Sequence, residues 1–181
     1  MKKGTIGIAL VLVLAATPCL AQVATVGVYF DQAGTQVSGT FNGGVDEFHK
    51  AYVVVFWEAF VGGASYKLNV DPRVSITQVS YPLEGIQIGG PLDGCGVEIG
   101  LTQPAFGFYS TPVVITDLTF WTGEQIIYDA MICVEPHCNY DSVVVADRDA
   151  QIYDAEGLCA FLTVPVASES DSWGAVKNLY K

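Results

Sequence analysis

Apolar and polar residues alternate with a period of two through much of the chain. Residues 64–70 show it most cleanly, with Ala64, Tyr66, Leu68 and Val70 on one side and Ser65, Lys67 and Asn69 on the other. Such a segment is a strand with one buried face. Val97, Ile99 and Leu101 alternate with Glu98, Gly100 and Thr102 in the same way. Residues 51–60 differ. They form the longest apolar run after the N-terminal leader, with Tyr52, Val54 and Phe56 on one parity and Val53, Val55 and Trp57 on the other. Apolar residues on both parities need cover on both faces, which predicts a central strand flanked by a core and a covering loop or layer. Its expected partner is the strand at 64–70, reached across a tight turn at Gly62-Gly63.

Further strands are predicted at 23–30, 35–41, 74–81, 86–88, 97–102, 113–121, 126–134, 142–146 and 157–164. Turn residues separate them at intervals of about eight to twelve residues. Residues 103–112 read as a loop carrying Phe106, Phe108 and Tyr109. Residues 147–157 read as an acidic loop, with at most a short strand at Gln151-Ile152-Tyr153. About ten short strands indicate an all-β chain folded as an immunoglobulin-like antiparallel β-sandwich. A helical period enters only at the end, where Trp173, Val176 and Tyr180 share a face and Lys177 and Lys181 lie towards the last turn, where cations complement a helix dipole.

The first residues change the picture of location. Lys2 and Lys3 precede an apolar run from Ile6 to Ala16, followed by Cys19 and Ala21 at the positions small residues occupy before a cleavage point. This predicts a secretory signal peptide over 1–21, too short in its apolar part for a comfortable membrane span of about 20 residues. Lipidation at Cys19 and a retained N-terminal anchor are the alternatives. The predicted organisation continues with a sandwich domain over 22–166, a small, polar linker over 167–172 and an amphipathic tail or short helix over 173–181. That tail either docks on the sandwich or serves as a sorting tag. The expected location is extracellular, periplasmic or cell-surface, with no membrane insertion after cleavage.

Residues 66–72, Tyr-Lys-Leu-Asn-Val-Asp-Pro, resemble the strand-then-Asp-Pro signature of cohesin-type and related carbohydrate-binding sandwiches. The late acidic stretch from Asp147-Arg148-Asp149 through Asp154 and Glu156 to Gly157, followed by an apolar strand, resembles the end of the same domains. The resemblance implies a cohesin-like fold and a binding role. The chain departs from that pattern in its four cysteines beyond the leader and its long loop at 103–112. Its tail at 173–181 resembles a motif of uncharacterised secreted proteins from environmental bacteria.

Composition narrows the partners. The chain has 19 acidic against 8 basic residues and a formal net charge of −11, and loss of Lys2 and Lys3 with the leader would make it more acidic still. That argues against nucleic acid and anionic membrane surfaces. The even set Cys95, Cys133, Cys138 and Cys159 in an exported chain predicts two disulfides. Three pairings are open. The favoured one joins a cysteine of the Cys133–Cys138 loop to Cys159 and gives the other to Cys95.

Three constellations could carry chemistry. Asp147, Asp149, Asp154 and Glu156 supply the oxygen ligands Ca2+ requires, without the spacing of a helix-loop-helix calcium loop; the bland alternative is a solvated loop in an acidic protein. Phe108, Tyr109 and Trp121 could offer stacking faces to a glycan, while Trp57 and Phe106 read as core. Cys133, His137 and Cys138 are zinc-ligand types, with His137 and Cys138 adjacent and a fourth ligand lacking. Catalysis has little support: His49 and His137 are the two histidines, and the chain contains no Gly-x-Ser-x-Gly, His-Glu-x-x-His or phosphate-loop motif. Glu58 and Glu98 are a carboxylate pair of the kind glycosidases use, with nothing to place them across a cleft. The expectation is a secreted, non-catalytic binding or structural module without a cofactor other than Ca2+, with an extracellular protein or glycan partner. The alternatives are a hydrolase whose site is not legible, and a structural subunit of an extracellular layer.

Overall fold

The computed structural model describes residues 23–41, 47–105, 112–123 and 129–163. The predicted leader, linker and tail, and Phe106, Phe108 and Tyr109, lie outside them.

Within them the chain forms β1 (Ala24–Tyr29), β2 (Ser38–Thr40), β3 (His49–Phe56), β4 (Val61–Val70), β5 (Ser75–Ser80), β6 (Gly85–Gly89), β7 (Val97–Ala105), β8 (Val113–Trp121), β9 (Ala130–Glu135), β10 (Val143–Ala146) and β11 (Ile152–Thr163). The hydrogen-bonded order is β5-β8-β3-β1-β11-β10-β4-β7-β6. One layer of the sandwich is β5-β8-β3-β1, the other β10-β4-β7-β6, and β11 runs through both. Pairing is antiparallel except for β1 and β2, which run parallel to β11. Tyr66, Ile115, Leu118, Phe120, Ile132 and Leu162 fill the space between the layers and are fully buried. Burial of each such aliphatic or aromatic side chain contributes about 1.5–3 kcal/mol.

The run at 51–60 is central, as its two apolar parities require. Ala51, Val53 and Val55 face the core. Val54, on the other parity, is equally buried because the Asp31–Gly34 turn folds over it. Gly34 has a φ of 67°, and a side chain there would collide with the ring of Phe56. Asp31 holds the turn by accepting the N–H groups of Thr35 and Gln36, each at 2.8 Å. Slight burial raises its pKa, but these bonds and that from the Thr35 hydroxyl outweigh it and hold the carboxyl below the usual range.

The partner expected for this strand is wrong. β3 lies between β1 and β8, while β4 belongs to the other layer. Gly62 and Gly63 are not a turn but the start of β4. Their missing side chains serve close backbone approach: a Cβ on Gly62 would run into the carbonyl of Asp147, and one on Gly63 into that of Ile99. Two other boundaries also move. β7 continues through Ala105 into the loop expected from 103, and the acidic loop expected over 147–157 gives way at Ile152 to the long strand β11, which satisfies its backbone through β10 and β1.

β9 and β10 share a single lane between β4 and β11. Along β11, Ala146 to Val143 face Ile152 to Ala155, and Cys133 to Ala130 face Cys159 to Leu162. Along β4 the same order holds. The lane is one strand interrupted by an excursion at residues 136–142. Two disulfides fix it: Cys133 bonds Cys159 directly opposite within the lane, and Cys138 ties the excursion to Cys95 in the turn between β6 and β7.

Candidate functional site

Residues directly opposite in a ladder share a face, so the registers read out the outer surface of the β6-β7-β4-β10 layer. One row runs Ile88, Glu98, Ser65, Val144 and on to Asp154 of β11. The next runs Ile86, Gly100, Gly63, Ala146 and Ile152. The second row is a trough. Two glycines and an alanine form its floor, and an isoleucine stands at each end. Ile86 and Ile88 are 67% and 63% exposed, and Ile152 is 57% exposed. An outer sheet face of a sandwich is ordinarily polar, and three exposed isoleucines depart from that pattern.

Ser65 lies on the floor beside the trough. It is 5% exposed, and its hydroxyl has no hydrogen-bond partner among the described residues. A buried unpaired hydroxyl is costly unless something satisfies it. Tyr140, from the excursion, closes one side of the cavity, whose volume is about 270 Å3. The rim is polar: Lys67 pairs with Glu135 at 3.1 Å, and Asn139 donates to Glu98 at 3.4 Å. Hydrogen bonds from Asn69 and Lys67 hold the Glu135 carboxyl below its usual range.

The residues singled out from the sequence fall elsewhere. Asp147 closes the β10–β11 turn, its Oδ1 accepting the N–H groups of Asp149 and Gln151 at 2.8 and 2.9 Å. Asp149 turns to Arg148 at 3.5 Å, Asp154 accepts the Ser142 hydroxyl, and Glu156 is exposed on β11. The four carboxylates are not gathered on one centre, because two of them sit in a strand rather than a loop. Trp121 ends β8 opposite Ser75 in the other layer. Glu58 and Glu98 line separate cavities. The zinc-type set is also rearranged: Cys133 is in the lane, and Cys95 joins His137 and Cys138.

The trough is not legible in the sequence because its floor is two glycines and an alanine. In the sequence Gly63 has the pattern of a turn and Gly100 that of an ordinary outward position. The one signal was Ile86-Gln87-Ile88, a short strand whose two large apolar residues share a parity.

No family model and no curated protein matches the chain. Solved structures do. A cohesin from Clostridium acetobutylicum superposes with a TM-score of 0.52 at 16% identity, over 81% of this chain and 94% of that one. A non-cellulosomal cohesin from the archaeon Archaeoglobus fulgidus gives 0.51 at 10%, over 83% and 97%. The sixth cohesin of an Acetivibrio cellulolyticus scaffoldin, solved in complex with a dockerin, gives 0.50 at 11%, over 78% and 99%. The chain is a cohesin-like β-sandwich. At these identities the likeness is one of fold, and it agrees with the resemblance carried by residues 66–72 and 147–157.

Proposed function

We propose that this cohesin-like sandwich is an exported, non-catalytic module that binds a protein partner on the outer face of its β6-β7-β4-β10 layer. The carrying observation is the trough between Ile86 and Ile152, with the unpartnered hydroxyl of Ser65 beside it. A groove of this shape takes an apolar ridge from a partner, and Ser65 adds one directional hydrogen bond that an apolar ridge alone would leave unmade. The polar rim supports a reversible interface rather than a permanently buried one. One of the similar folds was solved with a dockerin bound, which supports a protein as the ligand class. Export rests on the leader at 1–21 and on the paired cysteines, which suit an oxidising compartment.

The test is capture from native envelope and medium on the immobilised chain beginning at residue 22. Capture of a protein by the wild type that fails with Gly100→Leu supports the reading. Equal capture by both overturns the assignment of the face. Export is checked separately by the mass of the released chain.

A glycan reading has one observation in its favour. Trp57 and Tyr153 pack with ring centroids 5.0 Å apart beside Glu58 and Asp154 in a separate cavity of about 480 Å3. Glycan-array binding that Trp57→Ala abolishes and Gly100→Leu leaves intact would favour it over the protein partner.

A further inference from the structure

We propose that reduction of the Cys95–Cys138 bond converts this corner of the molecule into a zinc site formed by Cys95, Cys138 and His137. Among the described residues these three form a group whose ligand atoms all lie within 4.8 Å of one another. Thiolates and a neutral imidazole are the ligands zinc takes in tetrahedral sites, here with water in the fourth position.

The fold brings the three together independently of the sulfur bond. The excursion at residues 136–142 leaves the β9–β10 lane and folds over the turn before β7. There the N–H of Cys138 donates to the carbonyl of Cys95 at 2.9 Å. Opening the disulfide therefore leaves the two thiols side by side. Gly96 has a φ of 107°, and a Cβ on it would sit 3.0 Å from Cδ2 of His137. Glycine thus lets the imidazole lie against the turn.

His137 is the unexplained member of the excursion. It is 4% exposed in an otherwise accessible segment, next to the exposed Cys138. The N–H of Asn139 points at its Nδ1 from 3.2 Å, and Oε1 of Glu98 lies 3.8 Å from the same atom. The Asn139 N–H directed at Nδ1 marks that nitrogen as an acceptor, with the lone pair a metal ligand needs.

The chemistry balances as thiol–disulfide exchange. A dithiol reductant supplies two electrons and two protons and leaves as its own cyclic disulfide, and Cys95 and Cys138 become thiols. Zinc binding then releases both thiol protons. The excursion is tied to the β7 turn in either state, by a covalent bond in one and by the metal in the other.

The experiment uses the full chain. It is treated with a dithiol until alkylation mapping shows free thiols at Cys95 and Cys138, the reductant is removed, and zinc alone is titrated against a chromophoric competitor. Cobalt replaces zinc for the thiolate charge-transfer spectrum. The expected result is a single zinc bound by the reduced chain and none by the oxidised chain. Cys95→Ser with Cys138→Ser abolishes it, and His137→Ala weakens it at least about tenfold. Near-ultraviolet circular dichroism checks that each variant is folded. His137→Gln, which keeps a polar side chain in the same space, must lose zinc as His137→Ala does. Wild-type affinity in both His137 variants, zinc on the oxidised chain, or protection of Cys133 and Cys159 instead of Cys95 and Cys138 would each overturn the proposal.

Discussion

Tyr66 of β4 and Thr116 of β8 meet oxygen to oxygen across the middle of the sandwich, 2.5 Å apart, and neither side chain reaches solvent. Burial drives the Tyr66 phenol far above its ordinary range, only partly offset by the Thr116 bond. Tyr66→Phe leaves the Thr116 hydroxyl buried and alone, at a cost of about 1–3 kcal/mol, and Thr116→Val does the same to the phenol. The double variant should lose less than the sum. Urea denaturation of the four proteins measures this, and strict additivity would show that the two oxygens are not bonded.

Gly63 and Gly100 stand opposite each other in the ladder and should respond to alanine in opposite ways. A Cβ on Gly63 strikes the Ile99 carbonyl, whereas one on Gly100 meets nothing within 4 Å. Gly63→Ala should destabilise by about 1–3 kcal/mol, as overpacking does. Gly100→Ala should stay within about 0.5 kcal/mol. Thermal melting of the pair decides it. A comparable loss at Gly100 would mean that the trough is not open space.

The Cys133–Cys159 bond closes a sequence separation of 26. Chain-entropy estimates put such a crosslink at roughly 3–4 kcal/mol. Cys133→Ala with Cys159→Ala should lower the urea midpoint accordingly, with the denaturation slope changed because the unfolded chain is freer. An unchanged midpoint would show that the lane holds without the bond.

Asp71 accepts the backbone N–H of Arg73 at 2.9 Å and its guanidinium at 2.8 and 2.7 Å. These bonds hold its pKa at about 2, against 3.8 for the free group. A depressed folded-state pKa stabilises above the unfolded value, and the contribution fades as pH falls from about 4 towards 2. The pair is open to water, so its weight in stability is small and salt-dependent. Carboxyl-carbon NMR titration should find Asp71 titrating near 2, and Arg73→Ala should return it towards 3.8. An Asp71 midpoint already near 3.8 in the wild type would show that the bonds do not form in solution.

Much of the strand inventory was legible because alternation is local. Residues 113–121 read as a strand and form one with those bounds. The two-sided apolar run at 51–60 required cover on both faces and received it from the core and the Asp31–Gly34 turn. The pairing was not legible. β3 and β4 are consecutive, and the Gly62-Gly63 pair reads as the turn of a hairpin, yet the glycines belong to β4 and the two strands lie in different layers. The calcium reading failed to gather its ligands for the same reason: Asp154 and Glu156 are loop-like in composition, but β11 is held as a strand by partners more than a hundred residues upstream in β1.

The sequence by itself determined an all-β sandwich, an acidic composition and an even set of cysteines after residue 22. Each of these follows from composition or from a period that neighbouring residues set among themselves. Only the tertiary structure decided which strands meet, which cysteines pair and which residues share the trough. The trough draws its floor and ends from β4, β6, β7, β10 and β11, and its floor is two glycines and an alanine. No single stretch carries that information, because register between distant strands is fixed by closure of the whole core and not by any one of them.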